Sequence, residues 1–200
     1  MLMKRAEQLE KTRQAILKTA TKLFLQKGFG ETSTRDIAKQ IGITQPALYH
    51  HFSDKEVLYL NVMTNLGGKV RQDINKVMRK HDLTPNEQLW QIVKVLKRHH
   101  PLSLYVQYKQ AMRLLSKSSQ QKINMIFTMD YLEPVSAFFR QREVDLRPDL
   151  LPREAAELFI AGLTPIFGTF QLIGGHAITQ EQRDQLILDF LINGLSNWGK

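Results

Sequence analysis

Residues 33–55, STRDIAKQIGITQPALYHHFSDK, constrain the fold more than any other part of this chain. Ser33 stands where a side-chain oxygen can accept a backbone N–H at a helix start, and Asp36 occupies the capping-box position three residues on. Ile37, Ala38 and Ile41 repeat at helical spacing. Gly42 then offers the positive φ that ends a helix in a sharp turn, with Ile43 as an apolar plug inside the turn. Thr44 caps a second helix whose first turn holds Pro46, where the missing N–H costs nothing. Ala47, Leu48 and Phe52 are the expected buried residues of that helix, and Leu48 and Phe52, four apart, share a face. Ser53 and Glu56 read as a second capping box, with Phe52 and Val57 at the staple positions. These signals agree, and their agreement predicts two short helices joined by a tight turn that run into a third.

Two helices so joined form the arrangement that lies in a DNA major groove. Over roughly residues 12–60 the sequence resembles the TetR family of transcriptional regulators. The resemblance rests on the first helix AILKTATKLFLQKGF, the turn IAKQIGIT, and the ending LYHHFSDKEVL, which is similar to the family's LYxHFxxKExL. Beyond Leu60 it is architectural only. The resemblance implies that Arg35, Gln45, Pro46 and Ala47 face base edges and that Thr34, Thr44, Tyr49 and Lys55 hold the phosphate backbone. His50 falls at a variable position, and His51 at a common histidine that either bridges helices or touches DNA. Ala47 and His50 depart from the family's founding repressor, so no operator sequence carries over. The chemistry suits these roles. Arginine can donate twice to guanine O6 and N7, and glutamine can pair with adenine N6 and N7, each worth about 1–3 kcal/mol of discrimination. The Lys55 ammonium, at a helix start, and the Tyr49 hydroxyl suit phosphate oxygens.

The formal net charge is +9, a balance that suits nucleic acid. Its distribution matters more. Residues 61–122 hold 12 Lys/Arg against 3 Asp/Glu, whereas residues 123–200 hold 6 against 10. Lys4, Arg5, Lys11 and Arg13 predict a basic N-terminal arm along phosphates. The central excess reads as a solvated helical face, an anionic-effector site or a basic shoulder beside DNA. The chain has no cysteine, which removes disulfide and thiolate chemistry. MLMKRAEQLEKTRQ has no apolar h-region, so no signal peptide is expected. The apolar run over residues 158–175 is interrupted by Thr164, Pro165, Thr169 and Gln171 and reads as a buried helix, not a membrane span. The expected location is cytoplasmic. None of the six histidines has metal-ligand spacing, and no nucleotide or nucleophile motif appears, so the reading has no metal, no cofactor and no enzyme activity.

The fold expected is all-α: a helix-turn-helix DNA-binding domain over residues 1–53 and a ligand-binding and dimerisation domain over 54–200. A stripe from Val57 through Met63, Leu66, Val70, Ile74 and Val77 predicts a long helix from Asp54 to about His81. Gly67-Gly68 near its middle permits close packing or a bend, the bend being preferred because this helix joins the reading head to the rest. Further helices are predicted over residues 86–98, with Leu89, Ile92, Val93 and Leu96 inward, then 102–117, 122–144 with a fresh start near Pro134, and 153–173. A polar hinge at 116–119 and a two-proline loop at 143–152 separate them. Thr179 with Gln182 opens a helix over 181–198 with a stripe of Leu186, Ile187, Phe190, Leu191 and Leu195. Two late helices this apolar predict a four-helix dimer interface, which the resemblance also implies. It further implies an effector cavity, with Met63, Trp90, Tyr108, Met112, Arg113 and Met129 as candidate lining and Tyr108 and Arg113 as polar anchors. The functional expectation is a ligand-responsive, homodimeric regulator, a repressor, on a near-palindromic operator. The alternative is an effector-independent architectural DNA-binding module.

Overall fold

The computed structural model describes residues 2–168 and 178–195. Among these the chain is helical and contains no strand, as expected for the all-α class. Ten α-helices follow in order: α1 Leu2–Glu31, α2 Thr34–Ile41, α3 Gln45–His51, α4 Lys55–Met78, α5 Pro85–His99, α6 Leu104–Leu114, α7 Lys117–Phe127, α8 Glu133–Phe139, α9 Pro152–Gly162 and α10 Gln180–Leu195. They pack as two units. The first holds the chain up to Leu66 with residues 107–124, and the second holds residues 67–106 and the chain from Met125.

The core of the first unit is built from Ile16, Ala20 and Phe24 of α1, Ile37 and Ala38 of α2, Leu48 and Phe52 around α3, and Leu58, Tyr59 and Val62 of α4, all buried. The Tyr59 ring meets Phe24 edge-on and Phe29 at a tilt, each with centroids 5.0 Å apart. Burial pushes its phenol pKa up. Helix α1 is broken at Gly28, where φ is 78°. The Gln107 amide donates to the Phe24 and Leu25 carbonyls at 3.4 and 3.0 Å, satisfying oxygens left bare near a helix end.

In the second unit, α5 opens at a full capping box of Thr84 with Glu87 and buries Leu89, Ile92, Val93 and Leu96. Residues 128–132 form a π-helical turn between α7 and α8, with the Glu133 N–H bonding the Thr128 carbonyl. Pro134 accounts for it: proline supplies no N–H and its ring collides with the carbonyl four residues back, here Asp130, so one extra residue widens the turn. The turn buries Asp130, Tyr131 and Leu132.

Two sequence expectations change. The glycine pair in α4 marks a close approach and not a bend, since a Cβ on Gly67 would stand 2.6 Å from Asp130 Oδ2, while one on Gly68 meets nothing within 4 Å. The helix expected over 153–173 ends at Gly162, and Pro165 sits in a separate 3₁₀ turn, Thr164–Phe167. Residues 169–173, with the Gly174-Gly175 end, lie outside the described residues, as does the stretch 196–198 assigned to the last helix. Helix α10 buries Asp184, Leu188 and Leu195 and leaves Leu186 and Phe190 of its apolar stripe exposed in the protomer. No described helix is long and apolar enough to cross a membrane.

Candidate nucleic-acid interface

The α2–turn–α3 segment forms as its sequence requires. Ser33 Oγ accepts the Asp36 N–H at 3.0 Å, and Thr44 Oγ1 accepts that of Ala47 at 3.3 Å. Gly42 adopts φ 73° and its N–H closes on α2 carbonyls. Two side-chain caps of this kind contribute about 1 kcal/mol each. With Ile37 and Leu48 fully buried and Phe52 nearly so, the outer face is fixed by elimination. It carries Arg35, Thr44, Pro46, Tyr49 and His50, all exposed, with half-buried Gln45. Ala47 is exposed rather than buried beside Leu48. Arg35 makes no hydrogen bond or ion pair among the described residues, so its guanidinium keeps its full set of donors.

Three candidates form one cluster. Thr34 Oγ1 lies 3.0 Å from the Tyr49 hydroxyl. The Gln45 amide nitrogen donates to Thr34 Oγ1 at 2.9 Å and to the Tyr49 hydroxyl at 3.4 Å. Thr34 is only 5% exposed, so it positions its two neighbours and does not itself face solvent. Lys55 is held from behind: its ammonium lies 4.3 Å above the Phe29 ring and 3.4 Å from the Gly30 carbonyl. Partial burial lowers its pKa, opposed by Glu31 and Tyr49. An ammonium has three donors, so the bond to Gly30 leaves Lys55 with donors to spare.

Two expectations about the flanks need correction. Asp54, not Ser53, caps α4, its Oδ1 accepting the Val57 N–H at 2.7 Å. Glu56 is thereby released from capping and accepts instead from the Ser116 N–H at 2.9 Å and the Ser116 hydroxyl at 2.5 Å. These bonds hold its carboxyl below the usual range. The residues of the expected basic arm lie on α1, which begins at Leu2, and Arg13 does not belong to that arm. Lys11 pairs with Glu7 at 3.2 Å. Arg13 turns inward, 4.3 Å above the Phe52 ring, donating to the His51 carbonyl at 3.2 Å and to Asn61 Oδ1 at 3.1 Å. The His51 ring is half-buried, and burial, then His50 and Arg13, lower its pKa. Arg13 clamps the end of the recognition helix, a role with no local sequence signal.

The candidate effector residues divide between the units. Met63, Tyr108, Met112 and Arg113 belong to the first, where Tyr108 donates to the Asn124 amide oxygen. Trp90 and Met129 belong to the second, and Met129 and Arg113 are exposed. Trp90 lines an open cleft of about 480 Å³ together with Lys94, Lys97 and Arg98 of α5 and the first turn of α10. Lys94 stacks 5.3 Å from the Trp90 ring, and Lys97 pairs with the buried Asp184. The cleft is aromatic and of mixed charge, since Glu181 and Asp184 line it beside the three cations. Among the described residues no group of acidic, histidine or cysteine side chains is arranged to hold a metal.

Residues 16–62 match the sequence model of "Bacterial regulatory proteins, tetR family". The HTH-type transcriptional regulator AcrR of Shigella flexneri is 42% identical over 62 residues, which span 31% of this chain and 29% of AcrR. The match therefore covers less than a third of that relative. Solved structures extend the likeness in fold over nearly the whole chain. A TetR regulator from Legionella pneumophila gives a TM-score of 0.72 at 18% identity, covering 91% of this chain and 96% of its own. AibR, solved with isovaleryl coenzyme A and operator DNA, gives 0.61 at 22%, covering 92% and 97%. Residues 16–62, with Gly42 at the helix-turn-helix turn, thus form an N-terminal domain of the kind found in the tetR family of bacterial regulatory proteins.

Proposed function

We propose that this chain is a ligand-responsive transcriptional repressor that binds a near-palindromic operator as a homodimer. The observation that carries the proposal is the outer side of α2–α3, where Arg35, Pro46, Ala47 and His50 are exposed and Gln45 half-buried while the caps and the buried Leu48 fix the helices. Arg35 and Gln45 read base edges. Thr44, Tyr49 and Lys55 grip phosphates, with Thr34 behind them. A two-fold pair of such heads reads half-sites about one helical turn, or a related distance, apart. The effector carries an anionic group, drawn to Lys94 and Arg98 at the cleft beside Trp90, Lys97 being paired with Asp184, and shifts the two reading heads between spacings by its differential affinity. AibR, of the same fold, is solved with an acyl coenzyme A and operator DNA together, which supports such a pairing of ligands.

The test is selection of duplexes from a randomised pool by the full chain, followed by footprinting. The expected result is a two-fold-symmetric consensus protected over two half-sites, with an affinity that small anionic metabolites lower. Sequence-blind, cooperative coating would instead favour an architectural role. Within that assay, Arg35→Ala should relax preference at one base pair. Lys55→Ala should weaken all duplexes alike and reduce the salt-dependence slope by about 0.9 for one lost phosphate contact.

A further inference from the structure

We infer that Gln45 offers DNA only its carbonyl oxygen, so that it selects a base by its exocyclic amino group, adenine N6 or cytosine N4, and does not pair with adenine through two bonds. The inference rests on the DNA-reading function proposed above and adds what the Gln45 position reads.

The argument is a count of hydrogens. Gln45, Thr34 and Tyr49 form a closed triangle with sides of 2.9, 3.4 and 3.0 Å. Three sides need three hydrogens. With the amide nitrogen turned inward, it supplies two of them and one hydroxyl supplies the third. With the amide reversed, an oxygen occupies that corner and supplies none. The two hydroxyls then hold only two hydrogens for three oxygen–oxygen contacts, and one contact becomes a repulsion between lone pairs. The inward nitrogen is therefore the satisfied arrangement. It leaves Oε1 outermost, and no protein donor meets that oxygen among the described residues. Presenting the nitrogen to adenine N7 would pull it from between two hydroxyls, one of them on Thr34, which is 5% exposed. A buried hydroxyl stripped of a partner resists that rotation.

The same count assigns the remaining proton. Thr34, enclosed, donates to Tyr49, and the Tyr49 hydroxyl, on a residue 40% exposed, keeps its hydrogen free for a phosphate oxygen. One triangle thus yields an acceptor for a base and a donor for the backbone.

The experiment uses the full chain and a duplex it selects from a random pool. At each adenine of the half-site, 7-deazaadenine removes N7 and purine removes the amino group, while 2-pyrimidinone removes the amino group of each cytosine. The position read by Gln45 is the one where the amino deletion costs nothing further in Gln45→Ala. There the parent should lose about 5- to 10-fold in affinity on amino deletion and less than about twofold on N7 deletion. Tyr49→Phe releases one amide hydrogen, so an N7 penalty should emerge in that variant if the position is an adenine. Equal penalties for N7 and the amino group in the parent would overturn the inference while leaving DNA reading intact. A selected consensus with no position coupled to Gln45 would also overturn it. Failure to select any consensus would overturn the DNA-reading function itself.

Discussion

Gly67 of α4 lies directly against Asp130 of the π-helical turn, so close that a Cβ at position 67 would stand 2.6 Å from Oδ2 and 2.9 Å from the Asp130 Cβ. The second distance decides the consequence. A carboxylate could rotate away, but a Cβ moves only with its backbone, and that backbone is set by Pro134. Asp130 is also paired with Arg71 at 3.3 Å, and burial, opposed by Arg71, raises its pKa. Gly67→Ala should therefore destabilise the protein by about 1–3 kcal/mol, the range for overpacking a filled contact. Gly68→Ala, with open space at the new methyl, should stabilise by about 0.5–1 kcal/mol through helix propensity. Urea unfolding of the two variants checks the pair, and opposite signs are the expected outcome.

His100 supplies a pH dependence. It is 1% exposed, its Nε2 lies 3.0 Å from the Tyr131 hydroxyl, and burial, then His99, push its pKa down to about 3. An unfolded histidine titrates near 6.5, so below that value protons bind the unfolded chain in preference. Above pH 6.5 both states are neutral and His100 contributes no slope. As pH falls from about 6.5 towards 3, stability should drop by up to about 1.4 kcal/mol per pH unit. His100→Gln keeps a polar partner for Tyr131 but cannot titrate, so its stability should fall less steeply between pH 6.5 and 5. An unchanged slope would assign the proton uptake elsewhere.

Arg13 separates a structural cation from a DNA-binding one. Its guanidinium joins α1 to the His51 carbonyl, Asn61 and the Phe52 ring. Lysine cannot reproduce two planar hydrogen bonds and a stack together. Arg13→Lys should lower stability by about 1–2 kcal/mol while leaving the salt slope of DNA binding unchanged. A reduced slope would return Arg13 to the phosphate contacts.

What the sequence revealed and what it hid divide by distance along the chain. Ser33 with Asp36, Thr44 with Ala47 and Thr179 with Gln182 are three residues apart, so each cap could be read locally, and so could the positive φ of Gly42. Arg13 meets partners 38 and 48 residues away, and Gly67 meets Asp130 across three helices. Such contacts depend on where helices cross, and a hydrophobic stripe does not fix that crossing. Asp54 took the cap expected of Ser53 because α4 begins at Lys55, one residue later than the capping-box pattern implied. The break at Gly162 had a local cue in Pro165, whose ring cannot continue a helix interior. Leu48 and Phe52 could be read as buried from their spacing, whereas Ala47, expected inside, is exposed and Thr34, expected outside, is 5% exposed. The triangle that orients Gln45 was not legible, because Thr34 lies on another helix.

Phe190 gives the last prediction. It is 77% exposed, and Leu186 on the same helix and Leu158 of α9 are each 53% exposed. Their neighbours Leu188 and Phe159 are fully buried. The two helices thus have an inner face that the protomer covers and an outer apolar face that it does not. Small packing holds them together, because a Cβ on Gly162 would stand 2.5 Å from Leu191 Cδ2. An outer face of this kind is what a two-fold partner would cover. Phe190→Glu places a charge on that face without touching the protomer's core. It should therefore leave helicity and the unfolding slope of the isolated chain near those of the parent while shifting sedimentation from dimer to monomer and lowering affinity for a two-half-site duplex at least tenfold. A half-site duplex, which needs one reading head, should be bound as before. Loss of both activities together would place Phe190 in the fold rather than in the interface.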